Sequence, residues 1–254
     1  HDGTSIIESA LSELLASEPY VAVTVAAGNS RLSQAHAEKT IDRGATDSFY
    51  VRVPPGKVTE TYTELWPEWI DDDGRRLPWQ PDYIQLKIIA PDGRSVDLSS
   101  SSPEAVFSDK LGRVVAGVIF SKNVVQSIER PMILVAVAAT LPHEYLVSAP
   151  YGNWKIYVTN LSEAKLRISG WIERDEVVFG HRQPQLAHFV EDATSPAQVH
   201  DWDDETRQAV SRRRTSSNLA NASRVIAVAA GVGGRADGYV APYSGAGGGS
   251  QGEG

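Results

Sequence analysis

The chain has no cysteine and a single methionine among its 254 residues. Without cysteine there is no disulfide scaffold, no thiolate metal site and no cysteine nucleophile. Long apolar runs are also missing. A membrane span needs roughly 18 apolar residues, and the longest candidate, 132–141, stops short of that. The chain opens on His1 with no signal peptide in view. Loss of upstream sequence, with any targeting information in it, is therefore expected, and the compartment is left open.

Basic residues are scarce: 24 Lys+Arg stand against 32 Asp+Glu, for a formal net charge of -8. A nucleic-acid partner wants a basic face, so none is expected. The short run Arg212-Arg213-Arg214 reads as a solvated face. The six histidines form no H-E-x-x-H or similar ligand pattern. No metal site and no cofactor is indicated by them. Asp71-Asp72-Asp73-Gly74 does not fit EF-hand spacing and reads as an acidic surface turn. Asp201, Asp203, Asp204 and Glu205 read the same way.

What is present suits a folded chain with a sizeable core, since 41% of residues are hydrophobic. Ser5 and Glu8 fit a capping box, with Thr4 as the neighbouring cap candidate. Ile6, Ile7, Leu11, Leu14 and Leu15 follow at helical spacing, and Pro19 stops the helix. The valine-rich run 21–27 then predicts a strand buried on both faces, as in a parallel sheet covered by helices. It ends at the polar turn Gly28-Asn29-Ser30.

From about residue 47 to residue 188 the pattern is all-β. Phe49, Val51 and Val53 alternate, and Tyr83, Leu86 and Ile88 mark a strand before the turn Pro91-Asp92-Gly93. Segments 113–120, 132–139, 154–158 and 165–172 add four more strands, with a hairpin expected over 160–164. Short strands at such intervals indicate a β-sandwich or jelly roll. Trp154 and Trp171 read as core. Trp66, Trp69 and Trp79, with Tyr62 and Tyr83, read as cover for the edge of that core rather than a sugar- or peptide-binding groove. Beyond residue 191 the chain is polar. A short helical turn over 215–222 leads to a second valine- and alanine-rich strand, 224–230, and the tail from Gly245 is mostly glycine.

The fold class expected is therefore α/β, a parallel-sheet portion, with an inserted all-β sandwich or jelly-roll domain. Residues 1–40 and 192–254 would form the discontinuous α/β domain, and 41–191 the insertion.

The segment Val21-Ala22-Val23-Thr24-Val25-Ala26-Ala27-Gly28-Asn29-Ser30 resembles the strand and turn of subtilisin-like serine peptidases (subtilases). So does the helix before it. Ala222-Ser223-Arg224-Val225-Ile226-Ala227-Val228-Ala229-Ala230 resembles that family's later V-I-x-V-G-A strand. Residues 215–220 are similar to its helical approach, and Tyr243-Ser244 falls where many members have a serine-rich turn. The resemblance covers roughly residues 1–36 and 200–244. It implies a serine endopeptidase acting on polypeptide, secreted or periplasmic if typical. Asn29 would donate its side-chain amide to the oxyanion, and Gly28 would position it beside the substrate. Structural calcium is common in the family, but no residue here matches such a site.

The triad is missing from the pattern. In subtilases the aspartate and histidine motifs precede the asparagine strand, and the serine follows in G-T-S-x-A-x-P. Only 20 residues precede the strand here, and no G-T-S-x-A-x-P follows it. Gly3-Thr4-Ser5 lies on the wrong side of Asn29 in chain order, so Ser5 reads as a cap and His1-Asp2 as loop. The chain is thus expected to be an inactive internal fragment of a peptidase. The competing reading is a non-catalytic β-sandwich module that binds carbohydrate or protein. An unrelated α/β hydrolase is disfavoured, since no G-x-S-x-G elbow occurs. Loss of central strands would expose sheet edges through which copies could self-associate.

Overall fold

The computed structural model describes residues 6–18, 20–79, 81–125, 128–142, 147–174, 179–180, 186–194, 209–233 and 239–247. The proposed caps Thr4 and Ser5, the Gly3-Thr4-Ser5 and His1-Asp2 segments, the 201–205 acidic cluster, and His143, His181 and His200 lie outside these residues. Two compact units are distinguished. One holds the described residues of His1–His36 and Ser211–Gly254, the other those of Ala37–Val199 and Arg207–Val210.

In the first unit, helix α1 (Ile6–Ser17) precedes strand β1 (Thr24–Ala26). The helix buries Glu8 and Leu15, while Ile6, Ile7 and Leu14 are exposed. Its C-terminal end is held by Arg224, whose guanidinium donates to the Leu15 carbonyl at 3.3 Å, a favourable place for a cation at a helix C-terminus. The distant strand β14 (Ile226–Val228) pairs with β1 in parallel, in the register Thr24↔Ile226, Val25↔Ala227 and Ala26↔Val228.

The expectation that these two strands are buried on both faces is corrected by the structure. Ile226 and Val228 are each 52% exposed, and no β1 residue is buried. The physical reason is local. A valine-rich strand is covered only when neighbouring strands and helices flank it, and among the described residues this sheet has two strands.

The second unit is nearly all β. One sheet has the order β12 (His188–Val190), β3 (Thr46–Val53), β10 (Gly152–Asn160), β5 (Ile84–Ile89), β6 (Ser95–Leu98). The other runs β13 (Val210–Ser211), β2 (His36–Ile41), β11 (Lys165–Ile172), β4 (Thr61–Ile70), β9 (Ile128–Val137), β8 (Val114–Val125), β7 (Glu104–Ser108). The pairs β12–β3, β3–β10, β10–β5, β5–β6, β11–β4, β4–β9, β9–β8 and β8–β7 are antiparallel.

The sheets pack face to face as alternation dictates. Phe49, Val51, Ile156 and Leu86 line the inner face of one, and Leu65, Ile133, Val118 and Ile168 that of the other. Phe107 meets Trp154 edge-on across the layers at 5.2 Å between ring centroids. Gly170 is required there, since a Cβ would stand 2.6 Å from the Leu65 side chain and 3.0 Å from the Phe189 ring. Trp154 and Trp171 are buried, in keeping with their reading as core, whereas Trp69, read as cover for the edge of that core, is itself buried inside it.

Two details depart from expectation. Residues 160–164 do not form a hairpin, because β10 and β11 lie in different sheets. The turn carries the chain across the sandwich. Asn160, fully buried, pins it through its amide to the carbonyls of Ile41, Asp42 and Ala164 at 3.2, 3.2 and 2.8 Å. Strand β4 contains Pro67, although it lies between two neighbours. Its pairing with β9 ends at Leu65, so the missing N–H of Pro67 leaves no ladder bond unmade on that side.

Candidate functional site

The turn after β1 is the sequence-derived candidate. Gly28 has φ +91, a conformation that L side chains rarely adopt. The turn leaves Asn29 exposed in a bend. The Asn29 amide makes no hydrogen bond among the described residues, so its N–H groups are available to a ligand.

Two segments from the far end of the chain hold the backbone behind it. Ser217 donates its N–H to the Ala27 carbonyl at 2.8 Å and its hydroxyl to the Ala26 carbonyl at 2.9 Å. Gly245 donates its N–H to the Gly28 carbonyl at 2.7 Å. Thr215 closes the clamp, taking the Ala246 N–H on its hydroxyl at 3.2 Å and donating its own N–H to the Ala246 carbonyl at 3.0 Å. The fit is tight. A Cβ on Gly28 would stand 3.2 Å from the Ser217 nitrogen, and one on Gly245 would fall 2.3 Å from the Ala27 carbonyl oxygen. Arg31 donates its N–H to the Tyr243 carbonyl at 3.4 Å. Ser244 is buried, and its hydroxyl accepts the Ala230 N–H at 3.1 Å.

The residue pattern points to the Gly28-Asn29 turn and to a strand over 224–230, but not to the clamp from Thr215, Ser217 and Gly245. Nothing in those residue types announces long-range backbone pairing. The one usable signal was the lack of any side chain at Gly245.

No Ser–His–Asp constellation occurs among the described residues. The two described histidines, His36 and His188, are interior groups. Burial, reinforced by the charge of Arg214, lowers the His36 imidazole to about 3, against a backbone hydrogen bond at Arg213 that opposes the shift. Burial also pushes His188 below its ordinary value. Neither is poised as a solvent-facing base. The Asp71-Asp72-Asp73 turn is a surface feature, with Asp72 paired to Arg43 at 3.1 Å and Asp73 to Arg75 at 3.7 Å. No group of three or more ligand-type side chains suited to a metal occurs among the described residues. No described helix is long and apolar enough to cross a membrane.

No protein-family model matches the chain, and no curated protein matches it. Among solved structures, the fold is similar to that of the Clostridium perfringens CspB protease. The TM-score is 0.60 at 15% sequence identity, over 97% of this chain and 42% of that one. The chain therefore spans less than half the length of that protein. The relationship is a distant one of fold: a mostly β-stranded architecture with, among the described residues, one α-helix and several sheets.

Proposed function

We propose that the first unit is the oxyanion-hole portion of a subtilisin-like serine endopeptidase, with the β-sandwich inserted into it. The observation that carries this reading is the parallel pairing of β1 with β14, about 200 residues apart in sequence, with the Gly28-Asn29 turn at the end of β1. A parallel pair with exposed valine and isoleucine on its faces is the centre of a larger sheet, not a finished one. The fold likeness to a protease points the same way.

In that reading the triad is supplied by parts of the intact polypeptide outside this chain. Its serine attacks the peptide carbonyl, its histidine takes the proton, and its aspartate orients the histidine. Asn29 donates its amide to the oxygen as negative charge develops there. The clamp from Ser217 and Gly245 keeps the turn from recoiling, so the donor is organised before the reaction begins. The present chain binds and positions but does not cleave.

The test is an Asn29→Ala change in the intact polypeptide. Loss of one oxyanion donor in this enzyme family lowers kcat by about a hundred- to a thousandfold with little change in KM. A fluorophosphonate should label the intact polypeptide and leave this chain unlabelled. Unchanged kcat in the Asn29→Ala variant would remove the role assigned to Asn29, and failure of the intact polypeptide to label would remove the peptidase reading altogether.

A further inference from the structure

The outer face of the seven-stranded sheet carries an apolar band with an acidic border. Register fixes its composition. One cross-strand row reads Tyr62, Ala136, Gly117, Val106, and the next reads Glu64, Leu134, Ile119, Glu104. Tyr62, Val106 and Ile119 are 39%, 58% and 44% exposed, although their neighbours along each strand point inward and are buried or half-buried. Gly117 leaves a depression in the middle of the band, since a Cβ placed there would meet nothing within 4 Å.

The border is anionic. Glu104 ends the second row on the edge strand β7. Glu64 stands at its other side, where the row passes on to Trp171 of β11 and the Glu64 carboxylate accepts the Trp66 indole N–H at 3.1 Å. Glu173 flanks Tyr62, donating its N–H to the Tyr62 carbonyl at 2.9 Å. The carboxylates of Glu104 and Glu173 have no partner among the described residues. At the other end of β4 the outward charges are matched, with Glu68 held between Arg76 and Arg167. One half of this face is thus electrostatically closed and the other open.

From this we infer that the band around Ile119 docks a polypeptide segment with apolar side chains flanked by lysine or arginine. An apolar patch with a polar rim is what a protein-binding surface presents. Apart from Tyr62 at one margin, the band is aliphatic, and Val106, Leu134 and Ile119 offer little to a sugar ring, while the acidic rim repels nucleic acid. A second copy of the same face would bring carboxylate against carboxylate. A cationic rim on the partner answers the free carboxylates, and its apolar side chains fill the depression over Gly117. The inference is independent of the peptidase reading of the first unit.

The test uses the whole chain with two probes, a short amphipathic leucine–lysine peptide and its leucine–glutamate counterpart, followed by fluorescence anisotropy. The leucine–lysine peptide should bind and the other should not. Ile119→Asp separates docking from loose attraction to an acidic protein. It adds a negative charge, so a purely electrostatic complex would tighten, whereas a seated one should weaken about tenfold. Ile119→Ser serves the same purpose if the aspartate variant loses its thermal transition. Equal binding of both peptides, or binding unchanged or tightened in both variants, overturns the inference. So does a dimer that dissolves in Ile119→Asp without any peptide binding, which would make the face a contact between copies.

Discussion

His36 shows how burial, reinforced by a neighbouring positive charge, converts a common side chain into a pH-dependent element of stability. It is 2% exposed at the start of β2. Its folded-state imidazole titrates at about 3, against an ordinary value of 6.5. The unfolded chain therefore binds a proton near pH 6.5 that the folded chain refuses until about pH 3. Stability from this group is complete above pH 6.5 and is lost progressively as pH falls towards 3. His188, lowered in the same direction, adds to the slope. Replacing His36 by Phe should flatten the fall in the urea midpoint between pH 7 and pH 4.5. An identical pH slope in the variant would show that His36 is not the group responsible.

At the scale of elements, the contrast between the β1–β14 pair and the sandwich strands has a measurable consequence. A two-stranded sheet is marginal in water, and amide protection follows buried apolar contact and backbone pairing. Amides of β1 and β14 should exchange fast, while those of β10 and β11 should exchange only through larger openings. Slow exchange at Val25 and Ala227 would contradict the exposed disposition of this pair.

The same contrast explains what was legible in the residues. Strands β3, β5, β10 and β11 were visible because alternating apolar residues face a closed core. Strand β4 is masked by Pro67 and its tryptophans, which read as cover for the edge of the core. Whether an apolar run is buried depends on neighbours that the run itself does not specify, so the 21–27 and 224–230 segments misled on burial while their pairing followed the resemblance. The Gly28-Asn29 turn could be read from local chemistry. Its clamp could not, because backbone bonds from Ser217 and Gly245 leave no side-chain signature.

Over the whole molecule, apolar exposure is unevenly divided. The sandwich encloses a core between two sheets, whereas the first unit exposes Ile6, Ile7, Ile226 and Val228 on a single helix and an open pair of strands. Among the described residues β1 and β14 each have one edge without a partner strand, which adds a template for further strands. In an intact peptidase these edges and faces would be covered by the rest of its sheet and helices. In this chain the nearest available cover is another copy, despite the formal net charge of -8, because backbone pairing and apolar contact act at short range where salt screens repulsion. Light scattering should therefore give a mass that rises above 27.5 kDa with concentration. Lysine at both Ile226 and Val228 should suppress that rise, since edge lysines resist strand addition. The thermal transition of the sandwich and peptide binding at the Ile119 face should be unaffected. A mass fixed at the monomer value across the concentration range would mean that the open edges are not adhesive, and would weaken the case that they normally lie inside a larger sheet.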